Sequence, residues 1–204
     1  MNRESYNAIA SSWDAARVGF YGRERHYVDT LIKGLPAGAK VLDLGCGTGR
    51  PIAEYILAAG HALTGIDQSE ALLALACERF PQATWIHSPI ESFSTEESFH
   101  AIVCWDALFH LDRGMHESLL RRFSAMLLPG GRMMLTCGGS EHPAFTDTMF
   151  GQPFRYDSHP PATVLKILSG LGFEPLVSEF MNPPTSGRDK GRYALVVQPV
   201  LIGG

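Results

Sequence analysis

Short apolar runs of strand length alternate with helix-patterned segments from Lys40 to Leu171, and this alternation constrains the fold more than any other feature of the chain. Lys40 to Leu44, His61 to Ile66, Ala83 to His87, Ala101 to Trp105 and Arg132 to Cys137 read as buried strands. Between them, Pro51 to Ala59 reads as a helix with proline in its first turn. Ser69 caps a helix through Arg79, with Leu72, Leu73 and Ala76 at helical spacing. Met115 to Leu127 is amphipathic, carrying Leu119, Leu120, Phe123 and Met126 on one face, and Pro129-Gly130-Gly131 breaks it. Pro161 to Leu171 is a further helix. Repeated strand–helix–strand units demand right-handed crossovers, parallel pairing and helices on both faces of one sheet.

The end of the chain departs from this rhythm. Phe173 to Phe180 and Arg192 to Gln198 read as two strands with no helix between them, joined by loop chemistry over Met181 to Gly191. Such strands pair antiparallel. The expected fold is α/β: a doubly wound, mostly parallel seven-stranded sheet with helices on both faces and a C-terminal antiparallel hairpin. The 204 residues suit a single domain, 1–204. Residues 1–36 read as a helical lid carrying Tyr6, Trp13, Phe20 and Tyr21. Residues 138–161 read as a long loop covering a substrate, with Glu141, His142, Phe145, Phe150, Phe154, Arg155, Tyr156 and His159.

Charge and cysteine usage remove several classes of function. A net charge of -4 leaves no basic excess to neutralise phosphates, which argues against nucleic acid and against anionic lipid. Cys46, Cys77, Cys104 and Cys137 form no CxxC pair and have apolar neighbours, as reduced cysteines do. The start lacks a long apolar stretch and no run is long enough to cross a bilayer, so the expected location is the cytoplasm. His142 and His159 lack evident companion ligands, and no metal is expected.

The first strand ends in Asp43-Leu44-Gly45-Cys46-Gly47-Thr48-Gly49. In an open parallel sheet, ligands sit beyond the carboxyl ends of the strands, and glycines let the backbone approach them closely. Asp67 ends the second strand, where a carboxylate can accept both hydroxyl protons of a ribose. Together these features indicate an adenosine ligand. A dinucleotide fingerprint would place its third glycine at position 50, which is Arg50; here it comes at Gly49. Asp43 would repel a pyrophosphate but attract an ammonium or sulfonium group, favouring S-adenosylmethionine over NAD or FAD.

Val41-Leu42-Asp43-Leu44-Gly45-Cys46-Gly47-Thr48-Gly49 resembles the first motif of class I S-adenosylmethionine-dependent methyltransferases of the small-molecule type. Leu63 to Ser69 resembles their second motif, Leu128-Pro129-Gly130-Gly131 the turn before their fifth strand, and the terminal hairpin their last two strands. The resemblance implies a methyltransferase with S-adenosylmethionine as cofactor, S-adenosylhomocysteine as product and a small-molecule acceptor. It implies that Gly45, Cys46 and Gly47 line the methionyl part and ribose, that Asp67 holds the ribose hydroxyls, and that Gln68 flanks the adenine. Cys104 and Trp105, at the fourth strand's end, would border the methionyl group. Where relatives often carry an acid facing the adenine amino group, this chain has Ser88; Ile90 through its backbone, or Glu91, are the available substitutes.

Methyl transfer needs positioning and, where the accepting atom starts protonated, a base. Asp106 and His110 follow the fourth strand at a spacing that shares a face on one helical turn, so an acid beside a histidine is the candidate catalytic pair. A helix-capping Asp106 and a partly buried structural His110 are the alternatives. A protein that holds S-adenosylmethionine or S-adenosylhomocysteine without turnover is a second functional reading. An NAD-dependent oxidoreductase is a third, for which the fingerprint is missing.

Overall fold

Strand residues that are apolar on both faces build the centre of the molecule. A computed structural model describes residues 2–185 and 191–200. In chain order the elements are α1 (Asn2–Ala16), α2 (Glu24–Ile32), β1 (Lys40–Leu44), α3 (Ile52–Ala58), β2 (Ala62–Asp67), α4 (Glu70–Arg79), β3 (Thr84–His87) and β4 (Phe99–Cys104). They continue with α5 (His116–Ala125), β5 (Leu127–Gly138), β6 (Phe145–Met149), β7 (Gln152–Tyr156), α6 (Pro161–Gly170), β8 (Phe173–Asn182) and β9 (Arg192–Pro199). The main sheet has seven strands in the order β3-β2-β1-β4-β5-β9-β8. Pairing is parallel from β3 to β5, and antiparallel where β9 joins β5 and β8 joins β9. This is the doubly wound sheet with a terminal hairpin that the alternation of segments predicts.

Period-two alternation sends neighbouring residues into two separate cores. Leu42 and Leu44 of β1, Ile102 and Cys104 of β4, and Met133 and Leu135 of β5 cluster with Leu119, Leu120 and Phe123 of α5 and Val164 and Leu168 of α6. Val41, Ala101, Val103 and Met134 cluster instead with Val28 and Leu31 of α2 and Ala53 and Ile56 of α3. Burial on both faces is why these strands read as continuous apolar runs. Among the described residues, no helix is long and apolar enough to cross a membrane.

Three expectations need correction. β5 starts at Leu127 rather than Arg132, and α5 stops at Ala125, short of the expected Leu127. Leu127 pairs with Phe99, and a register shift before Ala101 absorbs Pro129-Gly130-Gly131, since a strand tolerates proline and glycine at a bulge. Residues 138–161 are not a plain loop: β6 and β7 form an antiparallel hairpin whose two-residue turn is Phe150-Gly151, both at positive φ. That turn conformation ordinarily selects Asn or Asp at its first position, so Phe150 hid it from a sequence reading. In the expected Met181–Gly191 loop, Met181 and Asn182 extend β8, and residues 186–190 lie outside the described residues.

α4 begins as its capping residue requires. The Ser69 hydroxyl accepts from the Leu72 amide at 3.2 Å and donates to Asn7 Oδ1 on α1 at 2.6 Å. Ser69→Ala should therefore cost about 1 kcal/mol of stability through the lost cap, read as a lower urea midpoint with unchanged slope.

Candidate active site

The carboxyl ends of β1, β2 and β4 open onto one cleft, and the glycine turn forms its floor. Gly45 and Cys46 donate their amides to the Ile66 carbonyl at 2.8 and 3.0 Å, which ties the turn to β2. Gly45 lies at φ +82, and a Cβ there would sit 2.6 Å from the Ala107 Cβ, so the position admits glycine alone. Gly47, at φ +56, donates its amide to Asp67 Oδ2 at 2.9 Å, while the Ser69 amide donates to Asp67 Oδ1 at 2.8 Å. Asp67 therefore fixes the glycine turn to the head of α4 and keeps further lone pairs for a ligand. Burial raises its pKa, opposed by these backbone amides.

Asp43 is buried at the cleft, and no donor among the described residues reaches its carboxylate. Burial, with repulsion from Asp67, pushes its pKa up to about 7. Arg50 lines the same cleft; its Nε has no hydrogen-bond partner, and Glu54 approaches it only to 3.7 Å. The cleft thus offers an uncompensated carboxylate and an underused guanidinium.

Most of the candidate cofactor residues meet here. Asp43, Gly45, Cys46, Gly47, Asp67, Gln68, Ile90, Glu91 and Trp105 all line the cleft. Ser88 and Cys104 are not among the lining residues. The Ser88 hydroxyl is turned onto the Pro89 carbonyl, and Cys104 points into the core beneath α5 and α6 because its neighbour Trp105 takes the cleft side. α1 supplies Tyr6, Trp13 and, just beyond its end, Arg17 to the lining. Arg17 was missed as a site residue. It forms a buried pair with Glu24 at 2.8 Å, and Glu24 also accepts from the Trp105 indole at 3.1 Å. That pair clamps the end of α1 to α2 and orients Trp105.

The expected pairing of Asp106 with His110 is replaced by other partners. Asp106 adopts φ +50, outside any helix, so the two residues do not share a helical turn. Its carboxylate pairs with Arg192 at the start of β9, and its amide donates to Thr136 Oγ1 at 2.7 Å. His110 instead sits 2.9 Å from the Tyr6 hydroxyl through Nε2 and 3.1 Å from the Arg155 carbonyl through Nδ1. A carbonyl can only accept, so Nδ1 carries the proton and Nε2 accepts from Tyr6. Burial lowers the His110 pKa to about 4 and raises that of Tyr6 well above its ordinary value. The pair is therefore neutral near pH 7, with an imidazole lone pair held against a phenol at the edge of the cleft.

Residues 41–131 match the family described as "Methyltransferase domain". Over this stretch, which holds the glycine turn, Asp67 and Trp105, the chain is similar to methyltransferases. Among relatives of this chain is phosphoethanolamine N-methyltransferase 1 of Triticum aestivum, 28% identical over 79% of this chain and 33% of the relative. Another is demethylmenaquinone methyltransferase of Tropheryma whipplei, 29% identical over 76% of this chain and 65% of the relative. The chain spans between a third and two thirds of the length of these curated relatives. Magnesium protoporphyrin IX methyltransferase from Synechocystis, solved with bound S-adenosylhomocysteine, superposes with a TM-score of 0.71 at 19% identity, covering 97% of each chain. At that identity the likeness is one of fold.

Proposed function

We propose that this chain moves the methyl group of S-adenosylmethionine to a small-molecule acceptor. The observation that carries this reading is the buried Asp43 carboxylate, which faces the cleft and has no partner among the described residues. A buried charge without a partner is costly, and a cationic ligand removes that cost. Asp43 would draw the cofactor's ammonium, Arg50 its carboxylate, and Asp67 the ribose hydroxyls; Gln68, Ile90 and Glu91 would flank the adenine. The fold neighbour that holds S-adenosylhomocysteine and the relatives named for small acceptors support the overall methyl-transfer reading.

When bound, S-adenosylmethionine supplies an electrophilic methyl carbon and a sulfur that keeps the electron pair of the broken bond. The protein's own task is then to position the acceptor, exclude water and take the acceptor's proton. We assign the proton to the Tyr6–His110 pair: the Tyr6 oxygen accepts it as the phenol's own proton passes to His110 Nε2. Asp106 acts beside this route rather than through the imidazole. The free cysteines fit a reducing compartment, and we place the reaction in the cytoplasm, with no part for nucleic acid.

Calorimetry with S-adenosylmethionine, S-adenosylhomocysteine and NAD tests the cofactor assignment. The two sulfur compounds should bind and NAD should give no heat; tight NAD binding without a response to the others would overturn it. Turnover with any acceptor separates an enzyme from a protein that only holds the cofactor. Acidity adds a second check. Asp43 is protonated below about pH 7 and ionised above it. A cationic ligand prefers the ionised form, so S-adenosylmethionine affinity should rise as pH increases through about 7. Asp43→Asn should flatten that rise, and an unchanged profile would place the cation elsewhere.

A further inference from the structure

Tyr6, Trp13, Arg17, Asp106 and His110 line both the cofactor cleft and a second chamber beside it. The chamber extends to Phe109, to Tyr156 at the end of β7, and to Arg192 at the start of β9. Because the two spaces share this wall, the chamber is where an acceptor would lie.

Its charges cancel locally. The Arg17 guanidinium is matched by buried Glu24, and Arg192 is matched by Asp106. An ammonium finds no unbalanced carboxylate here, and a carboxylate or phosphate finds no unbalanced guanidinium. Its apolar walls are flat rings: Tyr6 meets Trp13 edge to face at 5.7 Å, and Phe109 lies 6.0 Å from Tyr156 at an interplanar angle of 35°. Flat apolar walls favour a flat guest.

The Asp106–Arg192 pair is not saturated. Asp106 Oδ1 is buried without a hydrogen-bond partner, although Oδ2 takes Arg192 Nη1. Arg192 Nε donates to Asn182 Oδ1 at 3.1 Å, and its Nη2 makes no hydrogen bond among the described residues. One ion pair therefore presents an unused acceptor beside an unused donor. The strained φ of +50 at Asp106 is held at this point of the wall, where backbone strain commonly marks function.

We propose that the chamber takes an uncharged planar heteroaromatic acceptor, held by an edge that carries an N–H or O–H beside a carbonyl or ring nitrogen. The N–H or O–H donates to Asp106 Oδ1, and the carbonyl or ring nitrogen accepts from Arg192. This rests on the methyl-transfer reading of the adjoining cleft. A site built around such a pair rejects analogues that lack either half, because they leave a buried group unpaired.

The test uses protein saturated with S-adenosylhomocysteine and four two-ring probes of similar size: 2-quinolone, quinoline, 2-naphthoate and naphthylmethylamine. The quinolone alone carries the adjacent donor and acceptor, and it should bind at least about tenfold more tightly than the other three. Asp106→Gly, which suits the positive φ, should remove most of that advantage while leaving quinoline binding unchanged, and Arg192→Met should weaken the quinolone and, through its ring nitrogen, quinoline as well. If Asp106→Gly fails to fold, the native comparison and Arg192→Met decide the matter. Equal binding of all four probes, tighter binding of the amine or the carboxylate, or quinolone binding that survives both substitutions would overturn the proposal. Loss of these contrasts with S-adenosylhomocysteine still bound defeats this inference alone. Failure of S-adenosylhomocysteine to bind defeats the reading beneath it, and this inference with it.

Discussion

Asp67→Ala should weaken S-adenosylhomocysteine binding by about 2 kcal/mol, roughly thirtyfold. Two losses act together. The ribose hydroxyls lose a charged acceptor, and the glycine turn loses the carboxylate that holds it. Gly47 and Ser69 each donate a backbone amide to Asp67 in the ligand-free protein, at 2.9 and 2.8 Å. Without the carboxylate those amides stay buried and unpaired, which costs about 1–3 kcal/mol apiece before any refilling by water. The melting temperature should therefore fall as well, and affinity must be measured well below it. Asp67→Asn retains one acceptor oxygen and should recover part of both quantities. A variant that loses stability but keeps full affinity would show that Asp67 serves the turn and that the ribose is held elsewhere.

What the sequence revealed follows from which interactions are local. Gly45 and Gly47 stand out because a positive φ at a strand end selects glycine directly, and Asp67 because it closes the next strand. The sheet was legible because both of its faces are buried, leaving uninterrupted apolar runs. The wall between cleft and chamber was not. Tyr6 meets His110 across 104 positions, and Arg192 meets Asp106 across 86. Neither pairing has a spacing signal, since both depend on how α1 and β9 pack over the sheet. The local spacing of Asp106 and His110 even favoured the wrong partner. It assumed a helical turn, whereas the chain leaves β4 through a left-handed residue and then a single 3-10 turn over Leu108–His110. Ser88 was placed by analogy with the acid of the family the motifs resemble, and here the loop turns its hydroxyl back onto Pro89.

His110→Ala should leave S-adenosylhomocysteine affinity nearly intact and lower turnover by roughly a hundredfold, the lower range for loss of a general base. The geometry sharpens this expectation. Arg155 fixes the proton on Nδ1, so Nε2 is the only basic atom, and the Tyr6 hydroxyl already occupies it. An acceptor's proton must then arrive through the Tyr6 oxygen. Tyr6→Phe should consequently cost about as much as His110→Ala, and the double substitution should cost little more than either, because the two groups act as one unit. A Tyr6→Phe protein with full turnover would mean that the acceptor reaches Nε2 directly and that the tyrosine merely covers it. The pH profile provides an independent readout. With its pKa lowered to about 4, His110 stays neutral across the physiological range, so its protonation should depress turnover only as pH falls toward 4. An acceptor that enters as a free base, such as a neutral amine, would need no relay. Turnover would then be nearly indifferent to both substitutions while still requiring Asp67, and that pattern would assign the Tyr6–His110 pair to holding the lid rather than to moving a proton.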